Sequence, residues 1–260
     1  MTKNYLKLAA GYIKKQNLQK YIDIILQYWK KNPTSLGHGF SHMLKVAVTS
    51  YETGLKNKYP QPEHLFIGGL FHDIYRPAIY ASGDEDQRLG ADITRKLFVA
   101  NKISTDITAK VLAAIISHDE WRNLKDPPIF DLIISIGDKI VHDYSVAYNY
   151  VWAVNKYYKA NTGKPVFTTH QGTLAVFNKY QQRAWEIFTK HPIKGTEEAI
   201  ASYLHIYQTV ADNYFKDKTG KHFFEYVEKV AEIYRNEERK YLQYFGLADN
   251  EINKIMKRYY

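Results

Sequence analysis

The chain has 260 residues, 45% of them hydrophobic and 24% charged, with 36 Lys and Arg against 27 Asp and Glu for a formal charge of +9. Length and balance place it among soluble globular proteins built as one large domain or a domain with an appendage, and no run approaches the roughly 18 apolar residues of a membrane span. Cysteine is absent, which excludes disulfides, thiolate zinc sites and a cysteine nucleophile.

The first segment, MTKNYLKLAAGYIKK, is interrupted by Lys7 before a signal-like apolar stretch develops, so a cytoplasmic location is expected. Leu6 and Ile13, then Tyr21, Ile24, Ile25 and Tyr28, mark two amphipathic helices before Pro33. The Lys pairs at 14–15 and 30–31 suit solvated helix faces rather than a nucleic-acid arm. TSLGHGFS has loop chemistry, and a helix is expected from about Phe40 to Lys56, with Met43, Ala47 and Ser50 beside Leu44, Val48 and Tyr51 as adjoining stripes.

Pro60 and Pro62 precede a helix that carries His72, and Pro77 ends it. Leu89, Ile93 and Leu97 then share a face, and Ser104 can cap a helix in which Val111, Ile115 and His118 share another. Pro127 and Pro128 open a long helix through Asp138 toward about Ala160, and NTGKPVFTTHQG at 161–172 is the clearest break. Further helices start near Leu174, Thr196, His222 and Asp249, and no segment alternates as a strand over more than a few residues. The expected fold is all-α, with a helical core over residues 1–160 and a C-terminal helical layer over 161–260 packed on it. The 23 tyrosines, many in those helices, read as amphipathic packing in preference to a base-stacking platform.

His72 and Asp73 end an apolar run, HLFIGGLFHDIYRP, where an imidazole and a carboxylate are costly to bury without a partner. Asp138 in LIISIGDKIV poses the same problem, and His42 opens the helix after a glycine-containing loop. Together these four supply two nitrogen and two oxygen donors, leaving positions open for water and substrate. Without Cys, the ion suits a hard or borderline class: Mn, Fe, Co, Ni, Zn or Mg.

His42 in HMLKV, His72-Asp73 in FHDIYRP and Asp138 in IGDKI resemble the HD-domain metal-dependent phosphohydrolases, whose pattern is a His, a later His-Asp pair and a final Asp on an all-α core. The resemblance covers about residues 36 to 145. It implies an HD-type helical bundle, the metal ligands His42, His72, Asp73 and Asp138, and hydrolysis of a phosphoester. The other His-Asp pairs, 118–119 and 142–143, lack the same flanking partners and read as accessory.

In several branches an extra His between the pair and the last Asp contacts phosphate or a second metal, and His118 fills that place. With only His118 available there, one divalent ion is favoured over two. Where some nucleotidase branches carry a Glu that acts as general acid, this chain has Arg76, which cannot readily give up a proton but can clamp a phosphate. Asp84, Glu85 and Asp86 are the alternative proton donors. Arg76 and Lys139 are expected to offset phosphate charge, with His118 as polariser or proton carrier beside Asp73.

His38 and His64 read as structural, with His38 in the GHG loop also able to close over the site. The positive charge draws a small phosphorylated substrate, most readily a nucleotide, with nucleic acid less favoured and no membrane partner expected. Two rival readings remain: an iron-dependent oxygenase on the same scaffold, and a non-catalytic metal-stabilised protein that binds nucleic acid or a partner. The C-terminal helices are open to three uses, as packing, as a homo-oligomer surface or as a cap on the site.

Overall fold

In the computed structural model the described residues are 3–32, 38–75, 83–117, 126–141 and 221–259, with parts of 152–201 between them. They form helices α1 (Tyr5–Lys15), α2 (Gln19–Lys31), α3 (Phe40–Lys56), α4 (Pro62–Phe71), α5 (Gly83–Ala100), α6 (Thr105–Ser117), α7 (Ile129–Ile140), α8 (Lys221–Tyr244) and α9 (Asp249–Tyr259). Among the described residues there is no strand, and the fold is all-α. None of these helices is long and apolar enough to cross a membrane.

Helix α3 is the axis of the molecule. It is buried on every face from Phe40 to Tyr51, rather than along the two adjoining stripes its sequence suggests, because α1, α4, α7 and α8 all pack on it. A helix enclosed on all sides needs no polar face. Its small residues decide how near the neighbours come. A methyl group at Gly69 of α4 would lie 2.8 Å from Ala47 Cα, and one at Gly137 of α7 would lie 2.7 Å from Ser50 Oγ. At Gly69 the obstacle is main chain, so α4 reaches α3 at a distance no side chain would permit, while at Gly137 it is the Ser50 hydroxyl.

Two expected elements differ in detail. On α5 the inward face is Gln87, Ala91, Thr94 and Phe98, while Leu89 is 41% exposed. Ile93 and Leu97 of the expected stripe do pack partly buried against the core, but the most buried positions include two polar ones, and Thr94 meets its burial by donating to the Gly90 carbonyl at 2.9 Å. The long helix from Pro128 stops at Ile140, where the Val141 N–H bonds back to Gly137 O. Residues 152, 154–156 and 158–162 are helical, and the non-helical residues 163–168, opened by Gly163 with a φ of +75°, fall within the break expected at 161–172.

The C-terminal helices belong to the same core. Helix α8 turns Val227, Ala231, Tyr234, Glu238 and Tyr241 inward at three- and four-residue spacing. Leu242, Leu247, Ile252 and Ile255 continue that apolar contact through the turn into α9.

Candidate metal centre

His42 sits in the first turn of α3, fully buried. His72 and Asp73 lie just past α4, not within it as the sequence suggests. The helix tightens at its end: Ile74 N–H bonds to Phe71 O, three residues back, and His72 Nδ1 lies 2.8 Å from the Gly69 carbonyl. That side-chain bond takes up a carbonyl of the last turn. It also sets the ring, since Nδ1 donates to Gly69 and Nε2 is left facing the interior. Asp138 comes from the last turn of α7, brought in by the Gly137 contact with Ser50.

The four side chains converge. His42 Nε2 is 3.1 Å from Asp138 Oδ1 and 3.8 Å from Asp73 Oδ2. His72 Nε2 is 3.0 Å from Asp73 Oδ2 and 3.6 Å from Asp138 Oδ1. One donor atom from each of the four lies within 4.8 Å of the others, and all four residues are buried. Two donors at about 2.0–2.2 Å on opposite sides of an ion stand roughly 4 Å apart, so the cluster needs only a slight contraction to ligate one.

The electrostatics point the same way. Two carboxylates and two imidazole nitrogens turned toward one point are all acceptors, and such a set is stable only around a proton or a cation. Burial alone would lower the His72 pKa, but the neighbouring Asp73 and Asp138 carboxylates outweigh it and raise it to about 10. The donor set thus fits a single hard or borderline divalent ion.

Lys139 places its ammonium on Asp138 Oδ2, the carboxylate oxygen away from the histidines. It therefore contacts one of the four converging side chains. His38, read from the sequence as structural or as able to close over the site, comes to the edge of the centre. Its Nε2 is 3.8 Å from Asp73 Oδ2 and its side chain is 13% exposed, so it stands between the buried donors and solvent. The GHG spacing, one helical turn before His42, was the available signal.

His64 lies apart, with Glu63, Lys110 and Asp106 as its charged surroundings, and burial lowers its pKa. Asp86 is 2% exposed and shares an α5 face with Gly90, which turns toward Ile74 and Tyr75. Asp84 and Glu85 fall in the first turn of α5. Arg76, His118 and the His142-Asp143 pair lie outside the described residues.

Residues 39–143 match the family model of the HD domain. No curated protein and no solved structure matches the chain. The matched span begins at α3 and ends just beyond α7, so it contains all four converging side chains.

Proposed function

With an HD domain at residues 39–143 as the premise, we propose that this protein is a metal-dependent phosphohydrolase acting on a small phosphorylated substrate, a nucleotide being the favoured class. The observation that carries this reading is the convergence of His42, His72, Asp73 and Asp138, all buried, within 4.8 Å. A divalent ion held there supplies Lewis acidity, lowering the pKa of water and stabilising charge on a phosphoryl oxygen.

The protein's own groups do the rest. Asp73 and Asp138 offset the ion's charge, and Lys139 keeps Asp138 Oδ1 turned inward through its contact with Oδ2. His38, at the exposed edge, is placed to hydrogen-bond a phosphate oxygen or to carry a proton. Arg76, three residues past Asp73, serves as a phosphate clamp and His118 as polariser, roles that rest on their sequence positions. Asp86, buried on the α5 face that also carries Gly90, is the candidate proton donor among the acids after the pair. The formal charge of +9 favours the approach of an anionic substrate.

The test is metal analysis of the purified protein followed by a phosphate-release screen over nucleotides. The expected result is about one divalent ion per chain and release of phosphate that His72→Ala abolishes together with the metal. Equal metal content in the variant and the parent would overturn the reading. His38 also favours a second reading, an iron-dependent oxygenase, because it adds a third imidazole at the centre. Iron stoichiometry above one per chain, with oxygen consumption and no phosphate release, would select that alternative.

A further inference from the structure

The first turn of any α-helix leaves backbone N–H groups without helical acceptors. At α3 these are the amides leading into His42, and no side chain of the helix's own N-terminus caps them. The acceptors come from α8, at the other end of the chain. Glu238 accepts from the Phe40 N–H at 2.7 Å through Oε1 and from the Ser41 N–H at 2.8 Å through Oε2. The Tyr234 hydroxyl accepts from the Gly39 N–H at 2.9 Å.

Glu238 is 1% exposed and sits in the inward stripe of α8, where an apolar residue would be expected. Burial lifts its carboxyl above the usual range, and the hydrogen bonds from Ser41 and Phe40 work against that rise. Both oxygens act as acceptors, which suits the ionised group and the positive end of the α3 dipole. Gly39 makes room for it: a methyl group there would lie 2.5 Å from Glu238 Oε2 and 2.7 Å from the Tyr234 oxygen. Two further contacts hold α3 to this part of the chain, Lys45 to Glu237 of α8 at 2.7 Å and the Phe40 ring edge-on to Phe245, just past the end of α8, at 5.4 Å.

The residues gripped in this way, 39 to 41, lie between His38 and His42. We infer that Glu238, with Tyr234 beside it, is a positioning residue of the metal centre. By fixing the first turn of α3 it sets where His42 Nε2 meets Asp138 and how His38 reaches the edge of the site. The inference rests on the metal-centre reading above and extends the centre well beyond the HD-domain match, making α8 part of it.

The test uses the full chain and Co²⁺ as probe, reading both the dissociation constant and the visible ligand-field spectrum. Glu238→Gln keeps the size of the side chain but turns one acceptor into a donor facing a backbone N–H. Outer-shell changes of this kind weaken metal binding by about 10- to 100-fold, and that loss with shifted absorption bands is expected for Glu238→Gln. Tyr234→Phe, which keeps the ring, should give a smaller loss in the same direction and guards against misfolding of the Glu238 variant. Ile252→Ala, in the α9 core, should lower thermal stability while leaving the Co²⁺ affinity and spectrum unchanged. Parental affinity and spectrum in Glu238→Gln and Tyr234→Phe, while His72→Ala loses Co²⁺, would overturn the inference and leave the metal centre standing. Equal Co²⁺ binding by His72→Ala and the parent would overturn the metal centre, and the inference with it.

Discussion

Gly69 and Ala47 meet backbone to backbone: a methyl group on Gly69 would stand 2.8 Å from Ala47 Cα and 2.9 Å from its nitrogen. That contact lays α4 along α3 and so brings His72, three residues after Gly69, to His42. Gly69→Ala cannot be relieved by a side-chain rotation, because the obstacle is main chain. Overpacking of this type costs about 1–3 kcal/mol, and the upper half of that range is expected in denaturant melts. The displacement should also weaken metal binding, whereas Gly11→Ala, exposed within α1 with nothing within 4 Å of the added methyl, should leave metal binding unchanged and raise stability by about 0.5–1 kcal/mol.

His72 makes the centre sensitive to pH. Burial would depress its pKa, yet Asp73 and Asp138 raise it from 6.5 to about 10 in the metal-free protein. The sign follows from linkage: the folded value exceeds the unfolded one, so this stabilisation is fully present below 6.5 and is lost as pH rises through about 10. A divalent ion must displace that proton, so binding near neutrality should release about one proton and tighten with rising pH. Calorimetry in buffers of different ionisation enthalpy measures the release. Binding without proton release at pH 7 would show that His72 is neutral before the ion arrives.

Much of the centre was legible in the residues. A His-Asp pair closing an apolar run and an Asp inside IISIGDKI each demanded a compensating partner, and burial supplied the reason. Helix α3 was legible from Phe40 to Lys56 because the loop chemistry of TSLGHGFS precedes it and its apolar residues recur at helical spacing. Local sequence could not reveal partners joined only by the fold. Glu238 caps an amide turn 198 positions away in the chain, and helical periodicity carries no information about such a bond. Its one trace was an acid in the inward stripe of α8, at the interval shared by Val227, Ala231 and Tyr234. The α5 face was only partly legible: Ile93 and Leu97 reach the core as their spacing suggests, while Gln87 and Thr94 are polar yet buried.

Lys139 offers a clean separation of two roles. Its ammonium lies on Asp138 Oδ2, so its first effect should be on the ligand. Lys139→Met should lower metal affinity by about 10-fold or more, as loss of a ligand's outer partner does. With saturating metal, much of the activity should return. A raised KM with unchanged metal affinity would instead assign the ammonium to the substrate phosphate.

His38 is the sharpest test of how the buried donors meet substrate. It stands 3.8 Å from Asp73 Oδ2, its ring edge-on to His42 with centroids 5.3 Å apart, and keeps some exposure to solvent. A group so placed can act on a bound phosphate without being needed to hold the ion. His38→Ala should therefore retain metal while turnover falls by about 100-fold or more, the scale of lost proton transfer or polarisation. His42→Ala should lose metal and turnover together, because its Nε2 is within 3.1 Å of Asp138 Oδ1 at the heart of the cluster. Metal content and phosphate release measured on the same preparations distinguish the two. Loss of the ion in His38→Ala would make His38 a fifth ligand, and unchanged turnover would remove it from the chemistry altogether.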